Sequence, residues 1–325
     1  MKKVLITGAA GFIGFHTVIR LIKEGFQVTG IDDINDHYDP FIKRKRLEYL
    51  KNNFNDSFRF QKLDIRFKKK VEDFLKKDDY HAVVNLAARA GVRNSIINPW
   101  LYYETNTVGV LNILEGLKRF QPEALLIQAS TSSVYGDNKV PFNESDRVDH
   151  PVSQYAASKK ASEELCYTYH YLDKLNILIF RFFTVYGTFG RPDMSVFRFI
   201  RWIDEEKELM LYGDGSQERD FTYVDDIVEA IFKGINFKGY DIVNLGNDNP
   251  VKINSVIRVI EDTLNKKAKI RNHTRHPADI LRTCAKIEKA DKILGWKPKV
   301  KIEKGLEMIL DWYKENKDWV KKVKL

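Results

Sequence analysis

Two cysteines in 325 residues are too few for a disulfide framework, and neither they nor the seven histidines show metal-ligand spacing. Cys166 and Cys284 are therefore expected as free thiols, Cys166 half-buried on a helix, and no metal is expected. No apolar run approaches the ~20 residues that span a bilayer. The chain also enters the apolar segment Val4-Leu5-Ile6 without the pattern of a signal peptide. The expectation is a cytosolic protein with no membrane partner. Internal repeats and low-complexity linkers are absent as well. Acidic residues are outnumbered, 45 against 54 basic, for a net charge of +9, which raises a nucleic-acid partner as one class. The basic runs Lys43-Arg44-Lys45-Arg46, Lys68-Lys69-Lys70 and Lys321-Lys322 are interspersed with acids, read as solvated helix faces, and come with no nucleic-acid motif. No nucleic acid is expected as a partner.

What is present begins with composition. At 43% hydrophobic, a chain of this length buries a sizeable core as two domains or one large one. Apolar segments near 3–7, 27–32, 57–63, 81–86, 124–130 and 177–181 alternate with helical stretches. That pattern predicts an α/β fold, a Rossmann-like doubly wound parallel sheet, with a smaller C-terminal α/β substrate part. The division is placed at 1–185 for the nucleotide domain, with a return near 223–248, and at 186–325 mainly for the substrate.

The first strand runs into Thr7-Gly8-Ala9-Ala10-Gly11-Phe12-Ile13-Gly14 and then a helix near 12–23. In this context Gly8 permits a tight turn, Gly11 lets the backbone approach a pyrophosphate, and Gly14 allows close helix packing. The helix N-terminus favours the negative charge. Asp32 ends the second strand roughly 20 residues after the loop, placed to accept hydrogen bonds from an adenosine ribose. Its carboxylate repels a 2′-phosphate, so NAD is favoured over NADP; Asp33, adjacent, can share the role.

Tyr155 and Lys159, in Gln154-Tyr155-Ala156-Ala157-Ser158-Lys159, lie one turn apart on a predicted helix. An ammonium there, with a cationic nicotinamide, favours phenolate and lowers a phenol pKa that starts near ~10. Such a phenolate can take a proton from a sugar hydroxyl. Taken alone, the pair is more often a surface pair. Ala129-Ser130-Thr131-Ser132-Ser133 follows an apolar strand at its carboxyl end, where open parallel sheets bind ligands. Its bland reading is a self-capped turn. A third segment, Arg181-Phe182-Phe183-Thr184-Val185-Tyr186-Gly187, continues through Gly190-Arg191-Pro192-Asp193-Met194.

Together these motifs resemble the extended short-chain dehydrogenases/reductases of the nucleotide-sugar epimerase and dehydratase group, over nearly the whole chain. The resemblance implies Tyr155 as base, Thr131 sharing the proton path at the substrate O4, and Lys159 also holding the nicotinamide ribose. It implies NAD contacts from Gly8, Gly11, Phe12, Ile13, Gly14 and Asp32. Asp64 and Ile65 join them beside the adenine, with Leu86, Ala87, Ala88 and Asn106. Dehydratases of the group carry Thr-Asp-Glu where this chain has Thr131-Ser132-Ser133, and UDP-glucuronate decarboxylases carry Thr-Ser-Glu. Without those carboxylates, 4,6-elimination lacks its acid and base, and 4-epimerisation remains.

Thr184, where UDP-galactose and N-acetylhexosamine epimerases typically have asparagine, together with Arg191, resembles UDP-glucuronate 4-epimerases. The expected substrate is UDP-glucuronate, giving UDP-galacturonate through a 4-keto intermediate. The alternative substrates are UDP-glucose and UDP-N-acetylglucosamine. A decarboxylase and a non-catalytic NAD-binding protein are the remaining readings. Thr131, Ser132, Ser133, Thr184 and Arg191 are assigned to the sugar carboxylate, and Tyr212, Arg219, Asp279 and Arg282 to the UDP end. The chain departs from the family pattern at Thr188-Phe189, where Pro-Trp is usual, and at Arg89, where glutamine is usual. It departs again at His276, which stands where some relatives have arginine. A homodimer is implied, joined through the helices of 155–171 and 101–118.

Overall fold

The computed structural model describes residues 1–325. Seven parallel strands form the central sheet: β1 (Lys3–Thr7), β2 (Gln27–Asp32), β3 (Phe58–Lys62), β4 (Ala82–Asn85), β5 (Leu125–Thr131), β6 (Ile177–Phe182) and, later in the chain, β10 (Tyr240–Leu245). Their order across the sheet is β10-β6-β5-β4-β1-β2-β3. The order in which the chain adds strands reverses between β1 and β4, and the crevice at such a switch point is where open α/β sheets bind ligands. Interior strands of a sheet covered on both faces must be apolar on both sides, and all seven residues of β5 are buried.

One face is covered by α1 (Phe12–Lys23). Its Phe15, Val18 and Leu21 pack with Ile227, Ala230 and Ile231 of the helix Val224–Gly234 over β1, β4 and β5. On the other face, Val110, Ile113, Leu114 and Leu117 of the helix Gly109–Phe120 lie against Leu5, Val83 and Leu126. The helix Gln154–Asp173 joins them there through Cys166, which is wholly buried rather than half-buried.

Between β6 and β10 the chain leaves the sheet. The strands β7 (Thr184–Tyr186), β8 (Glu208–Tyr212) and β9 (Glu218–Tyr223), then β11 (Pro250–Lys252) and β12 (Lys269–His273), make two small sheets, β11-β9-β7 and β12-β8. A second core, with Phe197, Ile200, Leu209, Ile257, Leu306 and Leu310, holds these together. After this excursion the chain returns to the large sheet, where β10 pairs in parallel with β6 from Tyr240↔Ile177 to Leu245↔Phe182.

Two further expectations change. The single helix expected over 101–118 is broken. Pro99–Tyr103 is helical, Glu104–Val108 is a π-helical turn, and only from Gly109 does a regular helix continue. The wide turn lets the buried Asn106 reach out of the helix to Arg89, accepting from its N–H at 2.8 Å and donating to its carbonyl at 2.9 Å, a local distortion typical of functional surroundings. The basic run at 43–46 is not a solvated face either. Arg44 is exposed, but Lys43 is buried and Arg46 is wholly buried, because their helix, Pro40–Phe54, lies over the glycine-rich turn.

Candidate active site

Above the carboxyl ends of β1, β2, β4, β5 and β6 opens a cleft of about 1720 Å³. Residues from segments far apart in sequence converge on it. Gly8, Gly11, Phe12, Ile13 and Gly14 line it from the turn into α1, Asp32 and Asp33 from the end of β2, and Asp64 and Ile65 from the loop after β3. Leu86, Ala87 and Ala88 line it after β4, Thr131, Ser132 and Ser133 after β5, and Thr184 and Arg191 beyond β6, with Tyr155 and Lys159 from the helix between.

The glycine turn is built for close approach. Gly8 adopts φ +69°, open to glycine at little strain, and a Cβ there would lie 2.8 Å from the Ala87 backbone nitrogen. A Cβ on Gly14 would collide with the Gly8 carbonyl oxygen. The first N–H groups of α1, unsatisfied within the helix, open into the cleft that these residues line. Asp32 Oδ2 accepts from the Ala10 N–H at 3.2 Å and Oδ1 from that of Ile34 at 2.7 Å. Burial raises its pKa, with Lys43 opposing. A small-residue cradle, a helix N-terminus and an acid at the end of β2 are the donor set that fits NAD. Asn106 belongs to this region indirectly: it does not line the cleft but lies behind it, holding Arg89 and accepted by Ser158 Oγ at 3.0 Å.

At the other end of the cleft, Thr131 Oγ1 donates to Ser133 Oγ at 3.2 Å and accepts from the Ser133 N–H at 3.2 Å, which places a hydroxyl cluster at the tip of β5. Lys159, buried by the sheet, donates to the Ala129 carbonyl at 2.9 Å. Burial lowers its pKa to about 8, with Glu163 holding it up. Tyr155 differs from the sequence expectation. Burial raises its pKa, and the groups that act against burial are Thr131, through a hydrogen bond, and Arg191, through its charge. Lys159 is aimed at a backbone carbonyl of β5 instead of the phenol, so the i, i+4 spacing puts the two on one face without making the ammonium the phenol's main partner.

Arg191 is itself held. Its Nε donates to Asp193 Oδ1 at 3.0 Å and its Nη2 to Oδ2 at 2.5 Å. Burial disfavours its charge, Asp193 more than restores it, and the pKa ends raised. His37, also lining the cleft, is kept neutral: burial lowers its pKa to about 4, and the Arg191 charge adds to that. The carboxylates lining the cleft are Asp32, Asp33 and Asp64, all at the ends of β2 and β3 and none beside Thr131.

The residues assigned to the UDP end do not line this cleft. Tyr212 ends β8 and is covered by the Arg93 guanidinium, 3.6 Å from its ring centroid. Arg93 also pairs with Asp279 at 2.5 Å. Arg219 donates to the Glu218 and Leu281 carbonyls; burial lowers its pKa, and Asp279 partly restores it. Tyr212, Arg219 and Asp279 therefore form one cluster. Arg282 stands apart from it, half out in solvent and paired with Glu218 at 2.8 Å. His276 is half-buried and accepts from the Ala278 N–H through Nδ1.

Sequence reasoning missed Arg93, Asn35, His37, Tyr38, Lys43 and Met194, of which all but Arg93 line the cleft. The run Asn35 to Lys43 carried one usable signal, Asp39-Pro40, which caps the helix as Asp39 accepts from the Phe41 N–H. That signal locates the helix start but not which side chains face inward.

The profile of the GDP-mannose 4,6 dehydratase family matches residues 5–309. The chain is 47% identical over 326 aligned positions to the UDP-glucuronate 4-epimerase of Thermodesulfobacterium geofontis, covering all of both chains. To UDP-glucuronate 4-epimerase 1 of Arabidopsis thaliana it is 40% identical, over 95% of this chain and 76% of that protein. The crystal structure of UDP-glucuronic acid 4-epimerase from Bacillus cereus, in complex with UDP-glucuronic acid and NAD, superposes with a TM-score of 0.90 at 33% identity, covering 96% of this chain and 99% of that one. By sequence and by fold, the chain belongs to the GDP-mannose 4,6 dehydratase family, the nucleotide-sugar epimerases and dehydratases of the extended short-chain dehydrogenases/reductases.

Proposed function

We propose that this protein is a UDP-glucuronate 4-epimerase that produces UDP-galacturonate through a 4-keto intermediate. One observation carries the choice among the family's reactions: the hydroxyls of Thr131, Ser132, Ser133 and Thr184 share a cleft with Arg191, and every carboxylate lining that cleft lies at the β2 and β3 ends. A 4,6-elimination needs an acid and a base besides the tyrosine; epimerisation at C4 needs only the tyrosine. The three relatives named above, all UDP-glucuronate 4-epimerases, support the same substrate.

NAD, held by Gly8, Gly11, Phe12, Ile13, Gly14, Asp32, Asp64, Ile65, Leu86, Ala87 and Ala88, supplies hydride acceptance and return at C4 when bound. Tyr155 takes the proton from the 4-hydroxyl, with Thr131 bonded along the same path. Burial raises the phenol's pKa, while the Thr131 hydrogen bond and the Arg191 charge lower it; a bound cationic nicotinamide would add to that lowering and favour the phenolate that accepts the proton. Lys159 adds a buried ammonium whose pKa near 8 leaves it charged at neutral pH. Arg191, with Nε and Nη2 on Asp193, leaves Nη1 for the sugar carboxylate. Holding that carboxylate restrains the β-keto acid intermediate from the alignment in which it loses CO2. After the keto sugar turns its other face, the same phenol returns the proton. Asn106 acts from behind through Arg89, and Tyr212, Arg219 and Asp279 receive the UDP end, with Arg93 as their neighbour; Arg282, paired with Glu218, lies at the edge of that group.

The same reading makes the protein a cytoplasmic homodimer. Val108, Tyr167, Tyr171 and Leu172 are exposed on the helices expected to pair, and the two cysteines are free, as befits a reducing compartment. No helix is long and apolar enough to cross a membrane. A monomer by light scattering at micromolar concentration would sink the dimer.

The decisive assay incubates the purified protein, without added NAD, separately with UDP-glucuronate, UDP-glucose and UDP-N-acetylglucosamine, and resolves products by chromatography and proton NMR. UDP-galacturonate forming fastest, without UDP-xylose, supports the proposal. Turnover confined to the neutral sugars overturns the substrate assignment.

A further inference from the structure

Arg46 is wholly buried, has no carboxylate partner among its bonds, and spends its guanidinium on the backbone of two separate loops. Nη1 donates to the Ala10 carbonyl in the glycine-rich turn at 2.9 Å. Nη2 donates to the Phe189 carbonyl at 2.7 Å and the Gly190 carbonyl at 3.1 Å, and Nε to Phe189 at 3.2 Å. Nη1 also meets the Tyr38 hydroxyl at 2.9 Å, and the Tyr38 ring lies 5.6 Å from the Arg191 guanidinium.

The loop that Arg46 grips leads directly into Arg191. It is held at other points too. His16 Nε2 bonds the Thr188 carbonyl at 2.9 Å. Phe189 sits at φ +51°, a region uncommon for a bulky residue, and its ring is packed by Phe15 at 4.7 Å, Trp312 at 5.0 Å and Trp319 at 5.8 Å. A strained backbone conformation persists only where its surroundings over-determine it. Here three consecutive carbonyls and one aromatic plug are fixed, and the next side chain along the chain is that of Arg191. A planar fork with five donors can hold carbonyls of two loops at once; an ammonium cannot span them.

We propose that Arg46 is a positioning residue that sets Arg191 for the sugar carboxylate and ties that placement to the glycine-rich turn of the cofactor site. The proposal rests on the reading of Arg191 given above. It also explains how the chain tolerates Thr188-Phe189 in place of Pro-Trp: the loop is held through its carbonyls and by an aromatic ring, which Phe189 supplies.

The test measures Kd for UDP-glucuronate and for UDP-glucose by calorimetry on NAD-loaded protein, for wild type, Arg46→Lys, Arg191→Met and the double variant. Arg46→Gln replaces the lysine variant should that one not fold. Wild type is expected to prefer UDP-glucuronate. Arg46→Lys is expected to cut that preference about tenfold, the scale of one or two lost hydrogen bonds, with Kd for UDP-glucose within about twofold of wild type. In the Arg191→Met background, Arg46→Lys is expected to change the preference no further, since coupled residues are non-additive. A preference that survives Arg46→Lys, an equal loss for both ligands, or additivity in the double variant overturns the proposal. A wild type with no preference overturns the carboxylate reading itself, which separates the two failures.

Discussion

Lys159 is a buried ammonium, and its burial has a measurable price in the protein stripped of NAD. Its ordinary pKa of 10.5 falls to about 8 in the fold, which at about 1.4 kcal/mol per tenfold corresponds to roughly 3 kcal/mol. Because the folded pKa is depressed and the charged form is the protonated one, the native state binds fewer protons than the unfolded chain between pH 8 and 10.5. Stability therefore rises with pH across that window, and the penalty is fully present below pH 8. Lys159→Met removes the charge, keeps the stem volume, and forfeits one hydrogen bond to the Ala129 carbonyl, worth about 1 kcal/mol. The net expectation at pH 7 is a variant more stable by about 2 kcal/mol. For a chain of 325 residues, that is a rise in Tm of roughly 3 °C, using about 2.1 cal/mol/K per residue. The assay is thermal unfolding of both proteins at pH 7 and pH 10. The Tm difference should shrink towards zero or reverse at the higher pH, while catalysis is lost throughout. A variant less stable than wild type at pH 7, or a difference independent of pH, refutes the reasoning.

Three further outcomes are expected. Thr184→Val removes a donor to the sugar carboxylate and should raise decarboxylated product relative to epimer about tenfold; an unchanged ratio by NMR counts against the carboxylate-restraint argument. Gly14→Ala places a methyl against the Gly8 carbonyl oxygen, so the purified variant should carry no NAD, and stoichiometric NAD released on denaturation would contradict the fit of the turn. Arg181 and Glu163 pair at 2.7 Å, both 1% exposed, with Ser130 Oγ donating to the same carboxylate. Arg181→Met should therefore destabilise by roughly 3–5 kcal/mol, and the double variant with Glu163→Met should recover most of it in urea unfolding.

The repeating apolar strands, the glycines at 8, 11 and 14 and the acid at 32 were enough to place the sheet, because a buried parallel strand and a tight phosphate turn are local demands on composition and spacing. Tyr155, Lys159 and Thr131 were legible for a related reason: each sits at a strand end or on a helix whose register a short motif sets. The mid-chain helix was misjudged because the turn at Asn106 answers to the Arg89 backbone 17 residues earlier, a partner no window around 101–118 contains. The 43–46 run was misjudged because charge in sequence marks solvent only until a distant loop offers carbonyls to satisfy it, as Phe189 and Gly190 do for Arg46.

The sequence by itself determined the strands of the large sheet up to β6, the dinucleotide turn and the chemical types lining the cleft, since these follow from periodicity, glycine geometry and side-chain chemistry within a few residues. Only the tertiary structure decided which charges face one another. It turned Lys159 towards a β5 carbonyl, set Arg191 against Tyr155 and Asp193, and buried Arg46 between two loops. Electrostatic and hydrogen-bond partners depend on distances across the fold, and those distances are fixed only when the sheet, its helices and the C-terminal excursion pack together.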